Sequence, residues 1–381
     1  MQWYLFFPGS GIGRYTHAIL QQFQQVEDVE AELVCLPSYE WLQSADYRIW
    51  PGLRVFTHSN PVRRKLRFVA AQAINPARLW RRVREQRADV VHLSNINHLT
   101  YPLWRRWLEE SGARVVATAH DVRRAKAMVS RAYEDRQLQQ FYRRADALFV
   151  HSRAQLKDLV DFAKVPEERI HIVPHGPYNY GQPSADQQEL RQRLGWPIDK
   201  QVALFFGNIR DDKNLGLMLE ALRPYRDEVH LVVAGRVAGD AHKTVADYSE
   251  MAQRLGLTEA VTFDNRYISD AEIPDLFTAC DWAALPYSRR FTSQSGVLNV
   301  AVSYQRPVLI SATPTFVETL ERAEVGLLAE PDDVETLRSG IGRMITAVVA
   351  GREFAFAEYE RQFGWEANVR ITRDVYRSLC G

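Results

Sequence analysis

The chain has 381 residues, of which 46% are hydrophobic and 25% charged, and its formal net charge is +1. This length suits two domains of roughly 150 to 200 residues, and no apolar run approaches the ~18 residues of a membrane-spanning helix. Three widely spaced cysteines suggest neither a disulfide framework nor a zinc site. The start of the sequence lacks the pattern of a secretory signal, and the reducing cytoplasm is the expected compartment.

Short apolar runs alternate with helical stretches, which predicts βαβ units and parallel sheets. A first series of predicted strands lies at 3–7, 31–36, 90–93, 115–119, 147–150 and 170–173. A second lies at 202–206, 230–234, 261–263, 282–285 and 308–310. The segment 174–184, rich in proline and glycine, separates them. The expected fold class is α/β, with two Rossmann-like domains at 1–175 and 185–362, a linker at 176–184, and a ligand cleft at the carboxyl ends of their strands.

Charge is unevenly distributed along the chain. Residues 1–175 hold 26 Lys/Arg against 18 Asp/Glu, and residues 176–381 hold 22 against 29. Much of the positive excess lies in the stretch 54–87, whose only acidic residue is Glu85. Its cations include Arg63, Arg64, Lys65, Arg67, Arg78, Arg81, Arg82, Arg84 and Arg87. Apolar residues interleave with these cations, so the stretch is either an amphipathic face for an anionic membrane or acidic partner, or a solvated helix face. No recognised nucleic-acid-binding module accompanies it.

A glycine-rich turn at 8–17 follows the first predicted strand and precedes a helix predicted at 15–23. Gly11, Ile12 and Gly13 would let the backbone approach an anionic ligand at the helix start. A dinucleotide fingerprint requires Gly-x-Gly-x-x-Gly, and that register from Gly9 meets Arg14 instead of a third glycine. An NAD-dependent oxidoreductase or nucleotide-sugar epimerase and a purely structural turn remain alternatives.

Polar residues follow two further predicted strands. His120 and Asp121 end the strand at 115–119, where a histidine can donate to a sugar hydroxyl or to developing charge, or merely cap the strand. Arg210 and Lys213 follow the first strand of the second series, three positions apart. They can converge on one anion or pair with Asp211 and Asp212 on a solvated loop.

No acidic residue occurs from 282 to 317. Within this stretch a strand ends at Pro286, two arginines follow, and the turn Ser293, Gln294, Ser295 and Gly296 precedes a helical segment at 297–304. Free N–H groups at a helix start, hydroxyl groups and arginines all favour anions. The stretch therefore predicts a pocket for a phosphate ester or diphosphate.

Taken in order, these segments resemble the GT-B fold glycosyltransferases, specifically the large retaining family 4 group. The resemblance covers nearly the whole chain and rests on Gly11 to Gly13, His120-Asp121, His151-Ser152, 172–176, 207–214, 232–236, 295–298, 306–308, and Glu318 before 326–331. It implies a C-terminal segment, 363–381, that crosses back to the first domain. It also implies transfer of a sugar from a nucleoside diphosphate to a hydroxyl of a saccharide or lipid-linked acceptor, with retention and without a metal or other cofactor.

The resemblance also implies the site residues. The catalytic set is His120, Asp121, Arg210 and Lys213. The donor-binding set is Gly11, Ile12, Gly13, Asn208, Arg236, Tyr287, Thr292, Ser293, Gln294, Ser295, Gly296, Val297 and Asn299. Two cations and a helix dipole would neutralise the charge that develops on the leaving diphosphate.

One departure separates this chain from the usual family pattern. The family carries two glutamates eight positions apart in its donor-binding segment, and here that segment holds no acid. The chain resembles a Ser-Gly variant in which hydroxyl and amide groups face the donor. A homologue that binds a nucleotide without catalysing transfer is a third reading. The nucleotide, the sugar and the acceptor stay open, with polysaccharide biosynthesis at the inner face of a membrane as the expected setting.

Overall fold

The computed structural model describes residues 2–5, 11–55, 58–123, 127–237, 242–291 and 293–381. The chain divides into two compact units. The first comprises Met1–His175 with Trp365–Gly381, and the second comprises Gly176–Gly364. Each contains one parallel sheet with helices, as the alternation of apolar runs and helical stretches predicts.

The sheet of the first unit has seven strands in the order β3-β2-β1-β4-β5-β6-β7. Its strands are β1 Gln2–Leu5, β2 Glu32–Cys35, β3 Arg48–Trp50, β4 Val90–Leu93, β5 Arg114–Thr118, β6 Ala147–Val150 and β7 Ile170–Ile172. Its first five helices are α1 Gly11–Phe23, α2 Pro61–Gln86, α3 Tyr101–Glu110, α4 Arg131–Arg144 and α5 Arg153–Ala163.

The sheet of the second unit has six strands in the order β10-β9-β8-β11-β12-β13. They are β8 Gln201–Phe206, β9 Val229–Ala234, β10 Val261–Asp264, β11 Trp282–Leu285, β12 Val308–Ser311 and β13 Gly326–Ala329. The helices are α6 Gln187–Leu194, α7 Leu215–Leu222, α8 Val245–Arg254, α9 Ile273–Ala279, α10 Gly296–Ser303, α11 Pro314–Arg322, α12 Val334–Val349 and α13 Phe356–Phe363. The last helix of the chain, α14 Trp365–Cys380, belongs to the first unit.

Helices on both faces of the first sheet explain why its central strands are continuous apolar runs. In β6, Leu148 and Val150 pack into one core cluster, and Ala147 and Phe149 pack into the other. The first cluster also draws on α2 to α5, and the second draws on α1 and α14. A strand with both faces buried needs an apolar side chain at every position, which makes it recognisable in the sequence.

Two edge strands and one helix start differ from the prediction. β3 has only three residues, all half-buried or exposed, and β13 is a four-residue strand that begins with a glycine; neither was among the predicted strands. The turn predicted at Gly11 to Gly13 is wrong, because these residues form the first turn of α1. The hydroxyl of Thr16 donates to the Ile12 carbonyl at 2.8 Å, a contact between residues one helical turn apart.

Candidate functional site

The two predicted cations of the second unit follow the carboxyl end of β8. Lys213 is only 7% exposed, and its Nζ donates a hydrogen bond to the Phe206 carbonyl at 2.9 Å. Gly207 has a φ of +89°, and a β-carbon there would stand 3.2 Å from the lysine Nζ. The glycine therefore makes the turn and leaves the room that the ammonium group occupies.

Burial controls the protonation of this lysine. The pKa of Lys213 is lowered to about 7, mainly by burial and also by the positive charge of Arg210, while Asp212 acts in the opposite direction. Arg210 donates from Nη2 to the Asp212 carboxylate at 3.0 Å, and its buried Nε has no hydrogen-bond partner among the described residues. An anion bound here would gain a donor from Arg210 and favour the charged form of Lys213.

The start of α10 lies beside the same turn. Val297 Cγ2 is 3.7 Å from the position that a β-carbon on Gly207 would take. Ser295 caps the helix by accepting a hydrogen bond from the Leu298 N–H at 3.2 Å, and the first turn carries no acid. The structure thus brings Arg210, Lys213 and a helix N-terminus together, and this group of residues is called the cation cluster below.

Tyr287 contacts Ser295, the residue that caps α10. Its side chain is 2% exposed, and its hydroxyl lies 2.8 Å from Ser295 Oγ. Burial raises the pKa of Tyr287 to about 12, although the hydrogen bond to Ser295 and the charge of Arg210 lower it. The tyrosine therefore stays protonated at neutral pH and fixes the Ser295 hydroxyl.

A backbone hydrogen bond and the side chain of Asp332 hold the β11–α10 connection against the β8–α7 turn. The Ser288 N–H donates to the Asp212 carbonyl at 2.9 Å. Asp332, after β13, accepts from the Asn214 amide at 2.7 Å and from the Arg289 N–H at 3.0 Å. Asp332 was not among the predicted site residues, although a polar residue after the carboxyl end of a strand is a recognisable signal.

The remaining predicted donor-binding residues of the second unit vary in burial. Asn208, Arg236 and Gly296 are exposed, and the Arg236 guanidinium lies 6.0 Å from the ring centroid of Tyr267. Ser293 and Gln294 are half-buried, and Thr292 lies outside the described residues. Asn299 is 1% exposed, and its carboxamide oxygen accepts a 2.6 Å hydrogen bond from the Tyr359 hydroxyl. A ribose contact by that oxygen would compete with Tyr359.

In the first unit, His120 follows β5 and meets a second histidine. His120 Nδ1 lies 3.1 Å from His151 Nε2, and His151 Nδ1 lies 3.1 Å from the Val173 carbonyl oxygen. The Gln155 side chain donates to the His120 carbonyl at 2.9 Å. Asp121, predicted with His120, is exposed. His151 was predicted only as part of the His151-Ser152 motif, and its contact with His120 joins residues 31 positions apart.

Tyr15 packs against this histidine pair. Its ring centroid lies 4.6 Å from that of His120, 5.2 Å from His151 and 5.3 Å from His175. Burial holds the pKa of His120 and of His175 well below the usual value and lowers that of His151 to about 4. The three imidazoles are therefore neutral at physiological pH.

Tyr15 also connects the pair to the first turn of α1. Gly11 is exposed, Ile12 is half-buried and Gly13 is buried in the helix that carries Tyr15. The tyrosine hydroxyl accepts a hydrogen bond from the Asn368 amide at 2.9 Å. Tyr15, two residues after the predicted glycine segment, thus contacts His120. Asn368 in α14, which binds Tyr15, carries no local sequence signal.

No three His, Cys, Asp or Glu side chains in the described segments form a group that could hold a metal ion. None of the helices in the described part of the chain is long and apolar enough to cross a membrane.

Comparison with known proteins gives the family. The family described as Glycosyltransferase Family 4 matches residues 9–176, and the family described as Glycosyl transferases group 1 matches residues 186–359. A D-inositol 3-phosphate glycosyltransferase from Xylanimonas cellulosilytica is 26% identical over 244 residues, which are 61% of this chain and 57% of that protein. The match therefore spans little more than half of that relative's length.

Solved structures share the fold over the whole chain. HepE from Anabaena, solved in complex with UDP, has a TM-score of 0.77 at 18% identity and 99% coverage of both chains. A glycosyltransferase from Rickettsia africae has a TM-score of 0.76 at 14% identity, covering 99% of this chain and 97% of that one. These likenesses confirm the GT-B fold class, and an oxidoreductase is not favoured. The chain belongs to the glycosyltransferases, with a Family 4 segment in its first unit and a group 1 segment in its second.

Proposed function

We propose that this protein transfers a sugar from a nucleoside-diphosphate sugar to a hydroxyl group of a saccharide or lipid-linked acceptor. The observation that carries the proposal is the cation cluster, in which Arg210 and the buried Lys213 lie beside the start of α10. When the bond between sugar and diphosphate breaks, negative charge develops on the leaving phosphate. Two cations and the free N–H groups of a helix start are suited to stabilise that charge.

Lys213 would become more fully protonated when the donor diphosphate binds. Its pKa of about 7 leaves the free protein near the midpoint of protonation at neutral pH. A diphosphate within reach of Nζ favours the ammonium form, so binding of the donor recruits the charge that the reaction needs. We expect this stabilisation to serve in place of a metal ion, and activity that survives EDTA would support that expectation.

UDP is the first nucleotide to test. HepE has been solved with UDP and also with UDP-glucose, the latter at a TM-score of 0.73 and 18% identity to this chain. We propose a UDP-sugar as donor on the strength of that likeness. Retention is proposed because the segments of this chain resemble those of the retaining family 4 group, although the donor-binding segment 282–317 lacks that group's two glutamates. Proton NMR of the anomeric configuration of the first product distinguishes retention from inversion.

A membrane-bound acceptor is proposed from the first turns of α2. Val62, Leu66 and Val69 are each about two-thirds exposed there, and Arg63 and Arg64 are exposed beside them. Apolar side chains flanked by cations suit an anionic lipid surface, which would place the enzyme peripherally at the inner face of a membrane, in polysaccharide biosynthesis. Other cations of the predicted basic stretch have internal partners, since Arg82 pairs with Glu32 and Arg81 with Glu85.

A thermal-shift panel with UDP, GDP, ADP and TDP tests the donor site. A nucleotide present at 100 times its Kd should stabilise the folded protein by about 2.7 kcal/mol. We expect one of the four to raise the unfolding temperature in the wild type and in Arg254→Ala, which removes an exposed arginine of the same unit. Arg210→Ala and Lys213→Ala should lose the shift. No shift with any nucleotide contradicts the proposal, and a shift without sugar transfer identifies a non-catalytic homologue.

A further inference from the structure

The hydrogen bonds around His120 determine which of its nitrogens carries the proton. His151 lies between His120 Nδ1 and the Val173 carbonyl oxygen, at 3.1 Å from each. A carbonyl oxygen only accepts, so His151 must donate from Nδ1. Since burial holds the pKa of His151 near 4, its imidazole is neutral and its Nε2 bears no hydrogen.

The same reasoning extends to His120. Because His151 Nε2 can only accept, the hydrogen between the two rings belongs to His120 Nδ1. His120 is also neutral, and its Nε2 is therefore an acceptor without a hydrogen. That atom is buried and has no hydrogen-bond partner among the described residues. A buried acceptor without a partner is unfavourable, and a ligand that donates a hydrogen bond would relieve it.

We propose that His151 is a positioning residue, which holds His120 in the Nδ1–H form so that His120 Nε2 accepts a hydrogen bond from a hydroxyl group of the bound sugar. That the ligand is a sugar rests on the proposed function. That His120 Nε2 accepts the hydrogen bond and the ligand donates it rests on the hydrogen bonds of the two histidines. It reverses the expectation that His120 donates to a sugar hydroxyl or to developing charge. A histidine in this form selects for a hydroxyl donor and does not protonate the leaving group.

Tyr15 keeps the acceptor in place. Its ring meets His120 edge-on, with centroids 4.6 Å apart and planes at 83°, and Asn368 fixes the tyrosine hydroxyl. The Gln155 amide holds the backbone of His120 from the other side. His120 is thus held by a hydrogen bond at Nδ1, by the Tyr15 ring and by a hydrogen bond at its backbone carbonyl. Its Nε2 is the ring nitrogen left to contact a ligand.

Nitrogen-15 NMR of the full-length protein with labelled histidine measures the tautomers directly. In the wild type at pH 7.5 we expect His120 and His151 both in the Nδ1–H form, with Nε2 unprotonated. In His151→Phe, His120 should lose this fixed form, whereas His151→Gln should retain it, because the glutamine carbonyl can accept from Nδ1. His171→Phe, a histidine on β7 outside these contacts, is the matched control and should leave the His120 signals unchanged. A hydrogen on His120 Nε2 in the wild type would overturn the proposal.

Measurements of nucleotide binding and of kcat/KM test whether the tautomer of His120 affects use of the sugar donor. Once the panel has identified the nucleotide, His151→Phe should bind it as the wild type does but lose about tenfold in kcat/KM for the sugar donor, with rescue by His151→Gln. An unchanged kcat/KM in a folded His151→Phe variant would refute the role assigned to His151. If no nucleotide binds the wild type, the proposed function fails while the NMR result still decides the tautomer. If His151→Phe does not fold, the wild-type spectrum and the His151→Gln kinetics give the decision.

Discussion

Gly235 lies so close to Gly207 that a β-carbon on Gly235 would stand 2.2 Å from the Gly207 carbonyl oxygen. Gly235 also has a φ of +142°, which side-chain-bearing residues rarely adopt. We therefore predict that Gly235→Ala destabilises the second unit by about 1–3 kcal/mol and weakens nucleotide binding, because it displaces the turn that carries Lys213. Thermal unfolding and the nucleotide panel measure both effects. Gly351→Ala is the control, since Gly351 also has a positive φ, +61°, but its β-carbon would meet open space. It should therefore lose less stability, and an equal loss in both variants would contradict the packing argument.

Lys213 should make stability depend on pH. Its pKa is about 7 in the folded protein and about 10.4 in an unfolded chain, so between these values the unfolded chain holds the extra proton. Stability of the free protein should therefore rise from pH 7 to 9, by up to about 1.4 kcal/mol per pH unit from this group. Lys213→Met should remove this rise and raise the unfolding temperature at pH 7. A melting series at pH 7, 8 and 9 tests it, and parallel curves for the two proteins would contradict the assigned pKa.

The same lysine predicts proton uptake on nucleotide binding. A bound diphosphate raises the pKa of Lys213, so binding above pH 7 should take up a proton and affinity should fall as the pH rises to 9. Calorimetry in two buffers of different ionisation enthalpy measures the uptake. Arg254→Ala should behave as the wild type does. Binding without proton exchange at pH 8 would show that the ammonium group does not meet the diphosphate.

The cation cluster shows what local patterns can predict. Arg210 and Lys213 were predicted because they follow a buried strand, and the start of α10 was predicted because hydroxyl groups and a glycine precede an apolar helix. Both signals are contained within a few residues. The parallel strands were predicted for the same reason, since each is a short run with both faces buried.

The contacts around His120 show what those patterns cannot predict. His151 is 31 positions away, and Asn368, which holds Tyr15, is 353 positions from its partner. Such contacts depend on which strands and helices become neighbours, and no periodicity in the sequence specifies them. The predicted glycine turn at 11–13 was also wrong, because these residues form the first turn of α1, where the Thr16 hydroxyl donates to the Ile12 carbonyl.

Asn368 should contribute to stability through its two acceptors. Its side chain is buried, and Nδ2 donates to the Tyr15 hydroxyl at 2.9 Å and to the Pro174 carbonyl at 2.6 Å. We predict that Asn368→Ala costs about 1–3 kcal/mol, because both oxygens then lose a buried partner. Chemical denaturation of the full-length protein, monitored by tryptophan fluorescence, measures the loss in free energy of unfolding. Arg370→Ala, an exposed neighbour in α14, should have little effect, and a similarly small effect of Asn368→Ala would contradict the assignment.

The start of α2 should bind anionic lipid. Cations in a first helical turn oppose the helix dipole, so Arg63 and Arg64 near the start of α2 disfavour the free helix and suit a negatively charged surface. Val62, Leu66 and Val69 supply the apolar contact, each about two-thirds exposed. We predict sedimentation of the wild type with vesicles containing phosphatidylglycerol and loss of binding at high salt. Leu66→Asp with Val69→Asp should abolish binding, whereas Ile198→Asp, a change at an exposed apolar residue of the second unit, should not. Equal binding by all three proteins, or none by the wild type, would assign this helix face to solvent.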